Sequence, residues 1–189
     1  AAAQLAQHLG LPLYNSSSLT DSKVPDIQSG YEKGLSAATA ALAGANFIHH
    51  SAGFLESMLT VAYEQYVIDD DINGEVMRLV RGLDVTEEAL SLDVIHEVCT
   101  DGPGHYLGHP QTLQLMNSEY YYPHTADRAT RQDWEAAGSL DMRQRARLKA
   151  RAVLRTHFPP VVPEAVDRAL RDQFNILLPR DVMRPGGYA

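Results

Sequence analysis

The chain has 189 residues, 44% of them hydrophobic and 21% charged, with a formal net charge of −8. This is an ordinary globular composition with enough length for a sizeable core, and the acidic balance argues against nucleic acid, whose phosphates it would repel. The single cysteine, Cys99, excludes an internal disulfide framework or a multi-thiolate metal site and fits a reducing, cytoplasmic setting, while no apolar run approaches the roughly 20 residues of a membrane span.

Residues 1–10 begin without Met and read as the end of a helix closed by Gly10, so the chain is expected to start inside a larger fold. Leu11-Pro-Leu-Tyr-Asn15 is a strand candidate, followed by a polar loop over 16–26. Pro25-Asp26 opens a helix over 27–43 that Gly44 ends, and a second strand follows at 45–50. Its offset of 34 residues from the first (11 to 45) suits one βα unit. Leu59, Ala62, Tyr66, Ile68, Ile72, Val76 and Leu79 predict a long helix over 57–81, stopped by Gly82. Thr86 caps another that runs to about Cys99, whose amphipathic setting reads as a structural thiol. A glycine-rich loop over 101–108, a short helix from Pro110 and an extended 120–123 come next. Residues 131–157 are helical and arginine-rich with a break at Gly138; 159–163 is a stiff spacer, 164–178 a last helix and 179–189 a frayed tail.

Two parallel strands cannot make a barrel, which needs eight, or a sheet covered on both faces. A stand-alone chain would be mostly helical with a vestigial sheet. The preferred reading is α/β: the C-terminal part of a (β/α)8 TIM barrel followed by extra helices, helix-rich overall. Residues 1–100 are then the last βα units, truncated at the N-terminus, and 101–189 a C-terminal loop and helical extension of the same domain.

In such folds chemistry sits on loops after strand C-termini. Asp21, Lys23, Asp26 and Gln28 concentrate polar groups beyond the first strand, the plain alternative being a solvated loop with Asp26 as a helix cap. Alternation puts Asn46, Ile48 and His50 on one face of the second strand, and Ala45, Phe47 and His49 on the other. The first face is more polar and suits a barrel interior, which favours His50; Phe47 suits the helix layer, and His49 is expected to be a satisfied packing histidine. Gly53 would let a ligand approach the backbone, and Glu56 could balance a cation.

His50, His105 and His109 could supply a mononuclear metal site, but no HExxH or dense ligand cluster exists, so no metal is expected. Asp69-Asp-Asp71-Ile-Asn73-Gly74 begins like a calcium loop, yet Val80 stands where a bidentate Glu belongs, so the segment reads as a helix surface. Tyr14, Phe54, Tyr63, Tyr66, Tyr106 and 120–122 are aromatics of a core in the first instance. A quaternary ammonium pocket would nevertheless need a few such faces beside a carboxylate.

Asp21-Ser-Lys-Val-Pro-Asp-Ile-Gln-Ser-Gly-Tyr-Glu32 resembles the Asp-x-Lys-x-x-Asp-x-Gln-x-Gly-Tyr-Glu segment of the trimethylamine methyltransferase family. Gly44-Ala-Asn-Phe-Ile-His-His-Ser-Ala-Gly-Phe-Leu-Glu56 is similar to its next strand and loop, Gly104-His-Tyr-Leu-Gly108 to a late loop, and Trp134-Glu-Ala-Ala-Gly138 to its C-terminal helices. Family members are much longer, and the likeness covers their C-terminal portion. The resemblance implies a TIM barrel that moves a methyl group from a methylated amine to the Co(I) corrinoid of a partner protein, with no tightly bound cofactor of its own. No pyrrolysine is present, which resembles the branch acting on quaternary amines such as glycine betaine. Implied catalytic residues are His50, Asp21 and Lys23; implied substrate-binding residues are Tyr14, Gln28, Asn46, Gly53, Phe54, Glu56 and His105. The corrinoid protein and a small methylated amine are the expected partners, with no nucleic acid or membrane, and a homo-oligomer stays open. Alternatives are a metal-dependent barrel hydrolase and a non-catalytic helical binding fragment, and the fragment alone is not required to be active.

Overall fold

The computed structural model describes residues 1–159 and 161–182; the tail expected to fray falls largely on 183–189, outside the described residues. Helix α1 (Ala2–His8) ends as Gly10 turns to φ 65, a left-handed position that glycine takes without steric cost. Strand β1 (Tyr14–Ser16) then pairs in parallel with β2 (Phe47–His49), Tyr14 opposite Phe47 and Ser16 opposite His49. Between them runs α2 (Ile27–Leu42). A capping box starts it: the Asp26 carboxylate accepts the Ser29 N–H, and the Ser29 hydroxyl accepts the Asp26 N–H. Its buried stripe is Ser29, Lys33, Ala37 and Ala40, and the small alanines let α2 pack closely.

The helix predicted from residue 57 starts later. Phe54–Leu55 (β3) and Thr60–Val61 (β4) pair antiparallel around a turn in which Glu56, Ser57 and Met58 all take positive φ, at 49, 49 and 73. The Glu56 and Ser57 N–H groups donate to the Ser22 and Thr20 carbonyls, both at 2.9 Å, and these long-range bonds override the apolar periodicity. Helix α3 therefore spans Tyr63–Arg81 and stops at Gly82, φ 69.

Helix α3 is the spine. Helix α2 packs on it, and so does α8 (Met142–Thr156) through buried Ala146 and Ala150. Between α3 and α8 lie α4 (Glu87–Leu90), α5 (Leu92–His96), α6 (Pro110–Leu115) and α7 (Arg131–Ala136); α9 (Glu164–Gln173) follows and is shorter than predicted. Helix α5 continues as a π-turn over Glu97–Asp101, where Cys99 is exposed rather than built into a core. The break at Gly138 is present, φ 95, with the Trp134 indole donating to the Leu140 carbonyl.

The architecture is helix-rich α/β. The parallel sheet has two strands, and neither outer edge is paired among the described residues. Buried apolar residues are few and mostly small, whereas Lys33, Gln65, Asp69, Asp71 and Thr125 are buried polar ones. Leu35, Leu42, Phe47, Leu59 and Met77 are exposed, so much apolar surface lies open. Among the described residues no helix is long and apolar enough to cross a membrane.

Candidate active site at the ends of the parallel strands

The register joins Tyr14 to Phe47 across the sheet, and their rings stack at 5.3 Å and 12°. The His49 ring lies 4.3 Å from Tyr14. These rings therefore share the open face, with Tyr14 60% and Phe47 58% exposed. This corrects the expected facing. Asn15, the neighbour that alternates with Tyr14, lines a cleft with Leu35 and Thr39 of α2, so its cross-strand partner Ile48 belongs to the helix side and Phe47 does not.

His50 escapes the alternation because its φ is 65. That turn brings its ring to 3.3 Å from His49, edge-on to Phe54 at 5.4 Å and 86°, and its Nδ1 to 3.0 Å from the Ser16 hydroxyl. A non-glycine residue at positive φ at a strand end carries strain that the surrounding contacts must hold. His49 is not the satisfied packing residue expected: its Nδ1 is buried and has no hydrogen-bond partner among the described residues. Desolvation, then the neighbouring His50, holds its pKa below the ordinary imidazole value.

Asp21 and Glu56 stand on the two loops beyond these strands. The Ser57 hydroxyl donates to the Asp21 carboxylate, and the Thr60 hydroxyl to Glu56 at 2.8 Å. The Lys23 ammonium donates to the Asp21 carbonyl at 2.8 Å. Glu32 organises the first loop, accepting from the Thr20 hydroxyl at 2.6 Å, the Gln28 amide at 3.0 Å and the Asp21 N–H at 3.0 Å. Those bonds, led by Thr20, hold its carboxyl below the usual range, as the Ser29 N–H and Ser22 hydroxyl do for Asp26.

Several candidate residues are engaged in scaffold contacts instead. Gln28 is tied to Glu32, and the Asn46 carbonyl oxygen accepts the Leu13 N–H at 2.8 Å. Gly53 is buried at φ 82, where an added Cβ would collide with the Tyr66 ring, so close packing explains this glycine. His105 is exposed in the late loop, and no described contact joins it to the strand ends. His109 caps α6 by accepting the Gln111 N–H. Among the described residues no three His, Cys, Asp or Glu side chains converge as metal ligands. A cleft of about 830 Å³ flanks β1 and α2 on the helix side; Asp21, Glu32 and Ser57 line it and neither imidazole does, so Asp21 stands between this cleft and the strand ends rather than against the rings.

Sequence reasoning missed the polar core below this surface. Lys33 of α2 and Asp69 of α3 form an ion pair at 3.1 Å, both side chains 0% exposed. Burial pushes the Asp69 carboxyl above the usual range, opposed by Lys33, Gln65 and the Gly53 N–H. Asp71 is also buried, accepting from the His124 N–H at 2.7 Å, the Thr125 N–H at 2.6 Å, Tyr121 at 3.2 Å and the Thr125 hydroxyl. The segment is helical as read, but Asp69 and Asp71 are not its surface. The available signal was a charge on an apolar stripe: Lys33 stands four residues before Ala37, and Asp69 four after Gln65 beside Ile68. A charge so placed requires a buried partner.

The structure thus has a parallel βα unit with two imidazoles where β2 ends and acidic side chains on the segments that follow the strands, the end at which βα-repeat folds carry their chemistry. The chain belongs to the trimethylamine methyltransferase (MTTB) family, whose model matches residues 1–175. It is 34% identical over 172 residues to the glycine betaine methyltransferase of Desulfitobacterium hafniense (strain Y51), covering 90% of the chain and 35% of that protein. It is 43% identical over 158 residues to the trimethylamine methyltransferase MttB of Methanosarcina barkeri, covering 83% and 31%. For the trimethylamine methyltransferase MttB of D. hafniense (strain DSM 10664 / DCB-2) the identity is 36% over 169 residues, covering 89% and 33%. The chain thus spans about a third of the length of the curated relatives it matches.

Proposed function

We propose that this chain forms the last βα units (1–100) and helical extension (101–189) of a TIM-barrel methyltransferase, C-terminal in a longer, cytoplasmic protein. Its substrate is a methylated amine, and the acceptor is the Co(I) corrinoid of a partner protein. The observation that carries this reading is the ring cluster of Tyr14, Phe47 and His49 on the open face of the parallel sheet, continued by His50 and Phe54 beyond the C-terminal end of β2. A quaternary ammonium has no N–H to donate, so aromatic faces and nearby carboxylates are what can hold it. The rings supply the faces; Asp21 and Glu56, on adjacent loops, supply the negative charge. His50, oriented by Ser16 and Phe54, aligns the leaving amine or a substrate carboxylate, and Lys23 helps fix the Asp21 loop through its carbonyl. Gln28, Asn46 and Gly53 serve the site through the scaffold contacts they make, and His105, on the late loop, is a peripheral candidate.

Chemistry of this kind depends on in-line alignment and exclusion of water more than on proton transfer. The unpaired strand edges and exposed apolar residues support a larger body that closes over the face. Within that class we favour a quaternary amine such as glycine betaine, the substrate named for the D. hafniense (strain Y51) relative, and keep trimethylamine, named for the others, as the second candidate.

The test uses an intact protein containing this chain, Co(I) corrinoid, and glycine betaine or trimethylamine in turn. Loss of the Co(I) absorbance with glycine betaine alone is the expected result. His50→Ala should slow it by about 10- to 100-fold, the usual consequence of lost alignment. A folded protein that leaves Co(I) untouched with every methylated amine overturns the reading.

A further inference from the structure

A lysine ammonium has three N–H donors and no acceptor. All three of Lys33 have partners: the Ser18 carbonyl at 2.6 Å, the Phe54 carbonyl at 3.0 Å and the Asp69 carboxylate at 3.1 Å. Ser18 lies in the loop after β1, and Phe54 opens β3 directly past the loop after β2, so one buried ammonium joins the segments that follow both parallel strands. Asp69 adds a second tie, accepting the Gly53 N–H at 2.7 Å, while Gln65 steadies its other oxygen at 2.7 Å. Gly53 and Phe54 are thereby gripped by the two halves of one ion pair, and the Phe54 ring stands edge-on to His50.

Stability by itself is a weak reason for such a pair. Well-packed apolar residues in place of a buried ion pair often leave a fold no less stable. What they cannot reproduce is the set of bonds to the backbone of two functional loops.

We propose that Lys33 and Asp69 are a positioning pair, holding the Gly53–Phe54 backbone so that the His50 imidazole is set for methyl transfer; this rests on the methyltransferase reading above. Neither residue touches substrate. The test is the double variant Lys33→Met/Asp69→Leu in the intact protein, which removes both charges together and leaves neither stranded. Thermal melting establishes that it folds, and NMR of labelled histidine follows His50 between pH 5 and 8, where imidazole titrates.

The expected result is a folded variant whose His50 resonance and titration both move, with kcat down about 10- to 100-fold and KM changed far less. A folded double variant with an unaltered His50 resonance and titration overturns the proposal, whatever happens to its melting temperature. Asp69→Asn keeps the side-chain shape and carries the same readout if the double variant does not fold. If the unmodified protein transfers no methyl group, the function reading fails; the His50 resonance still decides whether the pair positions that ring.

Discussion

Two carboxylates on one helix serve two halves of the molecule. Asp69 faces the strand-end loops and is bonded to a cation, yet burial pushes its pKa above the ordinary carboxylate value. Asp71, two residues on, faces the 121–125 segment and meets only neutral donors, yet its pKa lies below that value. Burial opposes ionisation at both. At Asp71 the donors led by Thr125 outweigh it and stabilise the anion, while burial, and then Asp71, push the Tyr121 hydroxyl up to about 12. At Asp69 the desolvation is larger, and the partner ammonium has itself been stripped of water. The contrast teaches that a countercharge does not by itself set ionisation: burial prevails at Asp69 and hydrogen bonds prevail at Asp71.

The largest break in this comparison comes from Lys33→Met alone. It strands the Asp69 carboxylate in a dry core and should cost about 3–5 kcal/mol, read from urea unfolding. Adding Asp69→Leu should recover most of that loss; a double variant as unstable as the single would mean that the pair itself supports the fold. Asp71→Ala should cost about 3 kcal/mol, because it leaves buried backbone N–H groups of 124 and 125 without an acceptor. Amide exchange over 121–125 should rise in that variant while the strand-end loops stay protected.

Gly53→Ala is next, at about 1–3 kcal/mol, from positive φ and the Tyr66 collision together. The reverse change, Met58→Gly, should stabilise by up to about 1 kcal/mol, since φ 73 is costly for methionine and free for glycine.

Titration sharpens the same contrast with opposite signs. Asp71 binds its proton less readily folded than unfolded, so its contribution is present above the ordinary carboxylate value of 3.8 and is lost as pH falls below it. Asp69 binds its proton more readily folded, so its contribution declines as pH rises from 3.8 through its higher folded value. Melting temperatures between pH 3 and 7 should therefore lose acid-side steepness in Asp71→Asn and gain it in Asp69→Asn. Parallel curves for the two variants would contradict the assigned directions.

Much of the local structure was legible in the residues. Asp26 was readable as a cap, Gly44, Gly82 and Gly138 as stops, and the two apolar runs as strands, because capping and left-handed turns depend on side chains within a few positions. Arginine-rich α8 and its separation from α7 followed from composition and Gly138 in the same way. The start of α3 was not legible: residues 57–62 carry helical periodicity, and bonds from Glu56 and Ser57 to a loop 34 to 37 residues earlier pull them into a ribbon.

For the candidate site, the chain order alone determined that polar loops follow two strands, and that His50, Asp21 and Glu56 stand on or beside them. Only the tertiary structure decided which way those groups face. A positive φ at His50 cancels strand alternation, and the register puts Tyr14, Phe47 and His49 on one open face. The partners of Lys33, Asp69 and Asp71 belong to the same category, because apart from the Gln65–Asp69 bond within α3 these pairings span 15 to 54 residues of chain. Periodicity states that a charge lies on a buried stripe; the geometry of packed helices determines what neutralises it.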